Sequence, residues 1–292
     1  MRAASAMSVL RAGLRRTPLH TGWRFALSAV GAAREGNALT GVRTACLFIG
    51  HARSGHSIVG ALLDAHPQII ISDELDALRY IDAGFSARQV LYLSMSVSRR
   101  QARNERRKAG LGGTVYSYHV PGQWQGRHRD LRVVGDSRAG WSVQRLDRDP
   151  SLLSRVRRRF GVVDLRFIHI VRNPFDNIAT NMLRGARTFE SAFELYFANC
   201  EAIVRLGQRI GDEHLLRLRH EDVILSPRES LGRACAFLGV DAPEAYLEAC
   251  AGILYPTPSR SREKIAWTDE QRARVDARIA EFDFLAGYGF AA

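Results

Sequence analysis

Two short stretches of this chain bring together the residue types that hold oxyanions. The first is Gly50-His-Ala-Arg-Ser-Gly-His-Ser57, a glycine-bearing loop that opens a helix over Ile58–Ala65. Its spacing matches G-x-x-x-x-G-K-[S/T], except that His56 stands where the lysine would be. A backbone wound this way aims several N–H groups at one point, and the helix N-terminus adds partial positive charge. A phosphate can then be held without any particular side chain. Arg53 adds fixed charge, and a guanidinium over a bridging oxygen stabilises charge developing on a leaving group. The second stretch is Arg172-Asn173-Pro174, where Asn173 can cap a helix and Pro174 suits its first position. Thr180 falls about two turns further on the same helix face, so its hydroxyl can share an oxyanion with Arg172. The plainer readings are a structural glycine turn and a strand-end arginine in an ion pair.

These residues need elements to position them. Thr44–Gly50 is a continuous apolar run of strand length, and Ile69–Ser72, Leu131–Gly135, Arg166–Val171 and Leu215–Leu218 are similar. Such runs read as strands buried on both faces. Between them lie helical patterns over Ser86–Lys108, Pro174–Leu183, Phe189–Ile210 and Pro227–Leu238. The alternation predicts an α/β fold, a P-loop-NTPase-like parallel sheet of about five strands flanked by helices, with ligands at the carboxyl ends of the strands. The basic run Arg99–Lys108 reads as a solvated helix end. Residues 44–292 form one expected domain. Residues 1–43 carry seven Arg against one acid, Glu35, and read as a poorly structured Arg-rich tail. That composition fits a transit segment, and equally a start set upstream of Met7.

Composition narrows the class. Among 292 residues, 46% are apolar and 25% charged, which excludes collagen-like, low-complexity and wholly disordered chains. No apolar run approaches the roughly 18 residues of a membrane span. Four cysteines without a C-x-x-C pair suggest thiols in a reducing compartment, hence the cytoplasm, with an organelle left open by the N-terminal segment. A net charge of +12 implies an anionic ligand. Specific nucleic-acid binding is not expected, because the basic runs lack interleaved aromatics. His51 and His56 do not have zinc-site spacing, so no metal is expected.

Taken together, the segments resemble the sulfotransferases that use 3'-phosphoadenosine 5'-phosphosulfate (PAPS). Arg53-Ser54-Gly55-His56-Ser57 is similar to the family's 5'-phosphosulfate loop, with His56 where a Thr is usual. Arg172 with Thr180 is similar to its 3'-phosphate motif, and Arg219-His-Glu-Asp222 to its R-Y-E-D segment. Tyr255–Trp267, with Arg260, Arg262 and Lys264, resembles the basic loop that closes over the nucleotide. The resemblance implies in-line transfer of a sulfuryl group to a hydroxyl or amine, without metal, by positioning, cationic clamps and one base. Arg53 and His56 suit the clamp. Glu74 is the expected base, by likeness to glycan- and protein-modifying branches; His119 and Asp136 are the alternatives. A sugar is the preferred acceptor, and Trp124, Tyr116, Tyr118 and Phe189 offer stacking surfaces. Two other classes compete. One is a P-loop-like nucleotide kinase or phosphotransferase, weakened by the missing lysine and by Asp136 as its sole Walker-B-type acid. The other is a non-catalytic basic module binding nucleotides or nucleic acid.

Overall fold

A computed structural model describes residues 18–109, 115–185 and 187–291, and side chains over 21–108, 115–184 and 187–291. Its centre is a five-stranded sheet in the order β2-β5-β1-β6-β7. The strands are β1 (Thr44–Gly50), β2 (Ile69–Ser72), β5 (Val133–Asp136), β6 (Asp164–Val171) and β7 (Leu215–Arg219). Every pairing among them is parallel. A short antiparallel pair, β3 (Arg107–Ala109) and β4 (Val115–Ser117), stands apart from this sheet.

Both faces of the sheet are covered, and this is why its strands read as unbroken apolar runs. Along β1, Ala45, Leu47 and Ile49 join one core cluster, while Cys46 and Phe48 join the other. The first face is covered by α5 (Ala87–Arg103), α6 (Ala139–Arg148), α7 (Pro150–Phe160) and α9 (Phe189–Ile210). The second is covered by α3 (His56–Leu63), α11 (Pro227–Leu238) and α12 (Glu244–Ala251). A third cluster joins α8 (Pro174–Gly185) and α13 (Asp269–Ile279) through Phe175, Phe197, Trp267 and Phe282.

The N-terminal stretch read as a tail is helical from Pro18: α1 (Pro18–Arg34) and α2 (Gly36–Thr40). Its inward residues are small. Ser28 and Ala32 are buried, and Gly31 lies so close under the Tyr92 ring that a Cβ would stand 2.0 Å from it. Close approach of backbone to the Tyr92 ring, together with the edge-on contact of Phe25 with buried Phe85 at 5.0 Å, docks this helix.

The helix expected to reach Lys108 ends at Arg103. Glu105 and Arg106 turn into the left-handed region, at φ 51° and 47°. Arg106 then points inward, donating to the Ile71 carbonyl at 2.9 Å and pairing with fully buried Asp64. The supposedly solvated helix end is thus a buried ion pair followed by the start of the β3–β4 hairpin.

Candidate active site

All five carboxyl strand ends converge on one region. The loop after β1 is held by its own side chains and by α8 and α9. His51 stacks on Tyr196 with ring centroids 4.0 Å apart, and its Nε2 lies 3.0 Å from the Tyr196 carbonyl. Ser54 Oγ donates to the His51 carbonyl at 2.9 Å, so this hydroxyl shapes the loop. Asn177 and Asn199 donate to the carbonyls of Ala52 and Gly50, each at 3.0 Å. Arg53 sits exposed at φ 66°, leaving its guanidinium available at the rim.

Gly55 must be glycine on two counts. Its φ is 97°, and an added Cβ would stand 2.3 Å from His220 Nδ1. Gly55→Ala is therefore expected to displace the loop and to cost about 1–3 kcal/mol of unfolding free energy, measurable by urea titration. Unchanged stability would show that the loop absorbs the methyl group.

His56 opens α3 and is 7% exposed, with Nδ1 buried and lacking a partner among the described residues. Burial lowers its pKa, opposed by the nearby carboxylates of Asp73 and Glu74. A buried nitrogen without a partner, at a helix N-terminus, is what an oxyanion would satisfy.

The segment after β2 supplies two adjacent carboxylates with different surroundings. Asp73 is buried: Oδ1 accepts from Ser57 Oγ at 3.0 Å and from Ser137 Oγ at 3.1 Å, and Oδ2 pairs with Lys108 of the hairpin. Gln101 of α5 clamps its backbone, accepting from the amide at 3.0 Å and donating to the carbonyl at 2.6 Å. Burial alone would raise the Asp73 carboxyl, but Lys108, His56 and Ser57 together bring it below the usual range. Glu74, at φ 64°, turns outward with its side chain half exposed and meets Arg138 at 3.2 Å.

Asp136, an alternative base by sequence, has another task. Its carboxylate accepts from the amides of Leu75 and Ala77, each at 3.0 Å, and from Ser72 Oγ at 2.9 Å. Burial pushes it up to about 7 against the pull of those donors. It therefore anchors the turn that carries Glu74 and has no exposed face for a substrate. His119 is exposed on its loop, 3.2 Å from Gln125 Oε1.

Beyond β6, Arg172 and Thr180 meet as their spacing predicted. Arg172 Nη1 donates to Thr180 Oγ1 at 3.3 Å and to the Arg53 carbonyl at 3.0 Å; Nη2 donates to the Ser259 carbonyl at 2.8 Å. Ser261 completes the group, accepting from Arg172 at 3.3 Å and from Thr180 at 2.9 Å. Arg172 Nε is buried without a partner among the described residues. Asn173 caps α8 as predicted, accepting from the Phe175 amide at 3.0 Å. Glu221 ties this end to the last residues, accepting from the Asn173 amide at 3.0 Å and from the Tyr288 hydroxyl at 2.6 Å. Arg219 stacks on the Tyr288 ring at 4.0 Å. The Arg219–Asp222 segment thereby braces both phosphate-type motifs.

The three basic residues expected from the C-terminal loop divide. Arg262 is buried, with its guanidinium 2.8 Å from Asp176 and its amide donating to the same carboxylate at 2.9 Å. It fixes the loop to α8. Arg260 and Lys264 remain exposed, Arg260 pairing with Glu263 at 3.2 Å.

Sequence reasoning missed Asp73, Lys108, His220 and Ser261. One signal was available. Of the 42 basic residues other than histidine, only those at 108 and 264 are lysine. One of this pair contacts the carboxylate at the site. A cavity of about 120 Å³ opens there, with Asp73, Gln101, Asn104, Arg107, Lys108 and Tyr118 in its lining. A larger one of about 640 Å³ lies by Thr44 and Gly239, at the opposite end of the sheet and remote from all these groups.

With a parallel sheet, a glycine loop at β1 and an Arg–Thr pair at β6, the class is that of P-loop-like group-transfer folds. The family model of the sulfotransferase family matches residues 47–244, more than half of the chain, and this protein belongs to that family of sulfuryl-transferring enzymes. The match includes Arg53–Ser57, Glu74, Arg172, Thr180 and Arg219–Asp222 but ends before Arg260, Arg262 and Lys264. No curated protein matches the chain. Among solved structures, a sulfotransferase from Alicyclobacillus acidocaldarius is similar at 16% identity and TM-score 0.48, covering 86% of this chain and 98% of its own. Sulfotransferase STF9 from Mycobacterium avium is similar at 14% and 0.46, covering 91% and 86%. Mouse sulfotransferase SULT7A1, complexed with PAP, is similar at 12% and 0.43, covering 84% of each chain.

Proposed function

We propose that this sulfotransferase takes its sulfuryl group from PAPS and delivers it to a hydroxyl or amine of a polar acceptor, a carbohydrate being the class its cleft suits. One observation carries the reading. Arg172 donates to the carbonyl of Arg53 in the glycine loop and is met by the hydroxyls of Thr180 and Ser261. Two anion sites in contact through one arginine suit a ligand with a phosphate at each end. The unpartnered His56 Nδ1 and Arg172 Nε, one on each side, fit such a ligand.

When bound, the donor supplies an activated sulfur whose bond to the 5'-phosphate oxygen breaks as the acceptor oxygen or nitrogen bonds to it. Arg53 and His56 are assigned to the negative charge at the 5' end. Arg172, Thr180 and Ser261, with exposed Arg260 and Lys264 above them, are assigned to the 3'-phosphate. Arg262 acts through Asp176 as a positioning residue for that loop. Glu74 receives the acceptor's proton, because it is the carboxylate of the pair that reaches solvent. Asp73, engaged by two serines and Lys108, positions the loop. The cavity beside it presents the amides of Gln101 and Asn104, the cations of Arg107 and Lys108 and the Tyr118 phenol, groups that can hydrogen-bond a hydroxyl-rich acceptor.

Titration calorimetry with 3',5'-ADP and with 5'-AMP tests the reading. The Arg172→Ala variant should lose about 10- to 150-fold in affinity for 3',5'-ADP, as expected for charge-assisted bonds, and much less for 5'-AMP. Equal losses for both nucleotides would remove Arg172 from the 3' site. Failure of the wild-type protein to bind 3',5'-ADP, with binding of ATP in its place, would favour a nucleotide kinase.

A further inference from the structure

We propose that α1 is a docking helix for an anionic membrane surface, laying Trp23, Leu27 and Val30 into the lipid interface. The helix is amphipathic in the wrong sense for a water-exposed element. Its inward positions are Arg24, Ser28, Gly31 and Ala32, while Trp23, Leu27 and Val30 stand outward at 66%, 50% and 53% exposure. Positions i, i+4 and i+7 form one stripe, and in a surface helix that stripe faces the core. Here the fold buries Ser28, Gly31 and Ala32, sets Phe25 against Phe85 and offers Trp23, Leu27 and Val30 to solvent, which marks an interaction face.

Charge identifies the occupant. The first 43 residues carry seven Arg and one acid, so they hold 7 − 1 = +6 of the chain's net +12. The one acid, Glu35, pairs with Arg99. Further arginines flank the helix: Arg79 reaches Thr21 at 3.5 Å near its start, and Arg88 reaches the Gly36 carbonyl at 3.4 Å just past its end. Arg34, also exposed, ends the apolar stripe itself. An apolar stripe containing Trp and set among arginines is the pattern of helices that lie in the headgroup region of anionic bilayers. A second copy of the chain is disfavoured as occupant, because it would bring together two chains that each carry a net charge of +12. Among the described residues no helix is long and apolar enough to cross a membrane, so the helix lies on the surface.

The test uses the full chain with phosphatidylcholine vesicles, with and without phosphatidylglycerol, in a flotation assay. Binding to the anionic vesicles should be at least about tenfold tighter than to neutral ones and should weaken as salt is added. The combined Trp23→Ser, Leu27→Ser and Val30→Ser variant should lose about tenfold or more of that binding. Its melting temperature should stay at the wild-type value, because the three side chains are exposed. No association of the wild-type protein with anionic vesicles would overturn the proposal. So would wild-type binding by the triple variant, or a homodimer in sedimentation velocity that the variant abolishes while vesicles are ignored. Binding of 3',5'-ADP, measured in parallel, is independent of all these outcomes.

Discussion

Replacing Glu74 by Gln is expected to slow single-turnover sulfuryl transfer by about 10²- to 10⁴-fold, the range that general-base catalysis contributes, while leaving 3',5'-ADP affinity near wild type. Glutamine keeps the shape and can still meet Arg138, but it cannot take a proton. The left-handed backbone at Glu74 and the bonds from the Leu75 and Ala77 amides to Asp136 do not involve the Glu74 side chain, so the variant should keep them. A fall in turnover without a fall in melting temperature therefore isolates basicity. Near-normal transfer would move the base one residue back, to Asp73. That residue contacts Ser57 of the donor loop, whereas Asp136 is occupied by backbone amides and His119 by Gln125. Asp73→Asn would then be the deciding variant, since it also frees Lys108.

The largest expected effect on stability comes from the buried Arg106–Asp64 pair. Their side chains are 3% and 0% exposed, and Asp64 also accepts from the amides of Ile71 at 2.7 Å and Gly126 at 3.0 Å. Removing one partner of such a pair typically costs about 3–5 kcal/mol, because the other charge is left buried and uncompensated. Arg106→Leu should lose that much in urea unfolding near neutral pH. Burial already raises the Asp64 carboxyl, and Arg106 is the chief influence lowering it. Without Arg106 its folded pKa rises further above the unfolded value. A group shifted in that direction contributes stability below its unfolded pKa and loses it as pH rises through the folded one. The deficit should therefore shrink as the pH is lowered. A deficit that is small and independent of pH would show that Asp64 is satisfied by its neutral donors. Because Arg106 precedes Lys108 by two residues, the variant should also loosen the hairpin beside the proposed acceptor cleft.

How far the chain could be read depended on how locally each feature is encoded. The strands were legible because each is buried on both faces, so its residues are apolar in sequence as well as in space. Observed bounds differ little: β5 begins at Val133 rather than Leu131 and takes in Asp136. The loop at Gly50–Ser57 was legible because its geometry needs glycine and its helix begins at once. Arg172 and Thr180 were legible because Thr180 lies two helical turns beyond the cap Asn173, on the face next to the strand end that carries Arg172.

What stayed hidden are the contacts between distant segments. The run Arg99–Lys108 is rich in basic residues, and periodicity cannot tell a solvated arginine from one that compensates a buried aspartate 42 residues earlier. Lys108 reaches Asp73 because the chain reverses at residues 104–106, and that reversal follows from where Arg106 finds its partner. Arg262 looks like its exposed neighbours in sequence, but Asp176 turns it into a brace. By itself, then, the sequence determined the sheet, the glycine loop and the arginine–threonine pair, since each follows from a local period or a local backbone requirement. Only the tertiary structure decided which charges are buried together, which carboxylate faces solvent and which side of α1 is outward, because burial and pairing depend on chain segments that no local pattern relates.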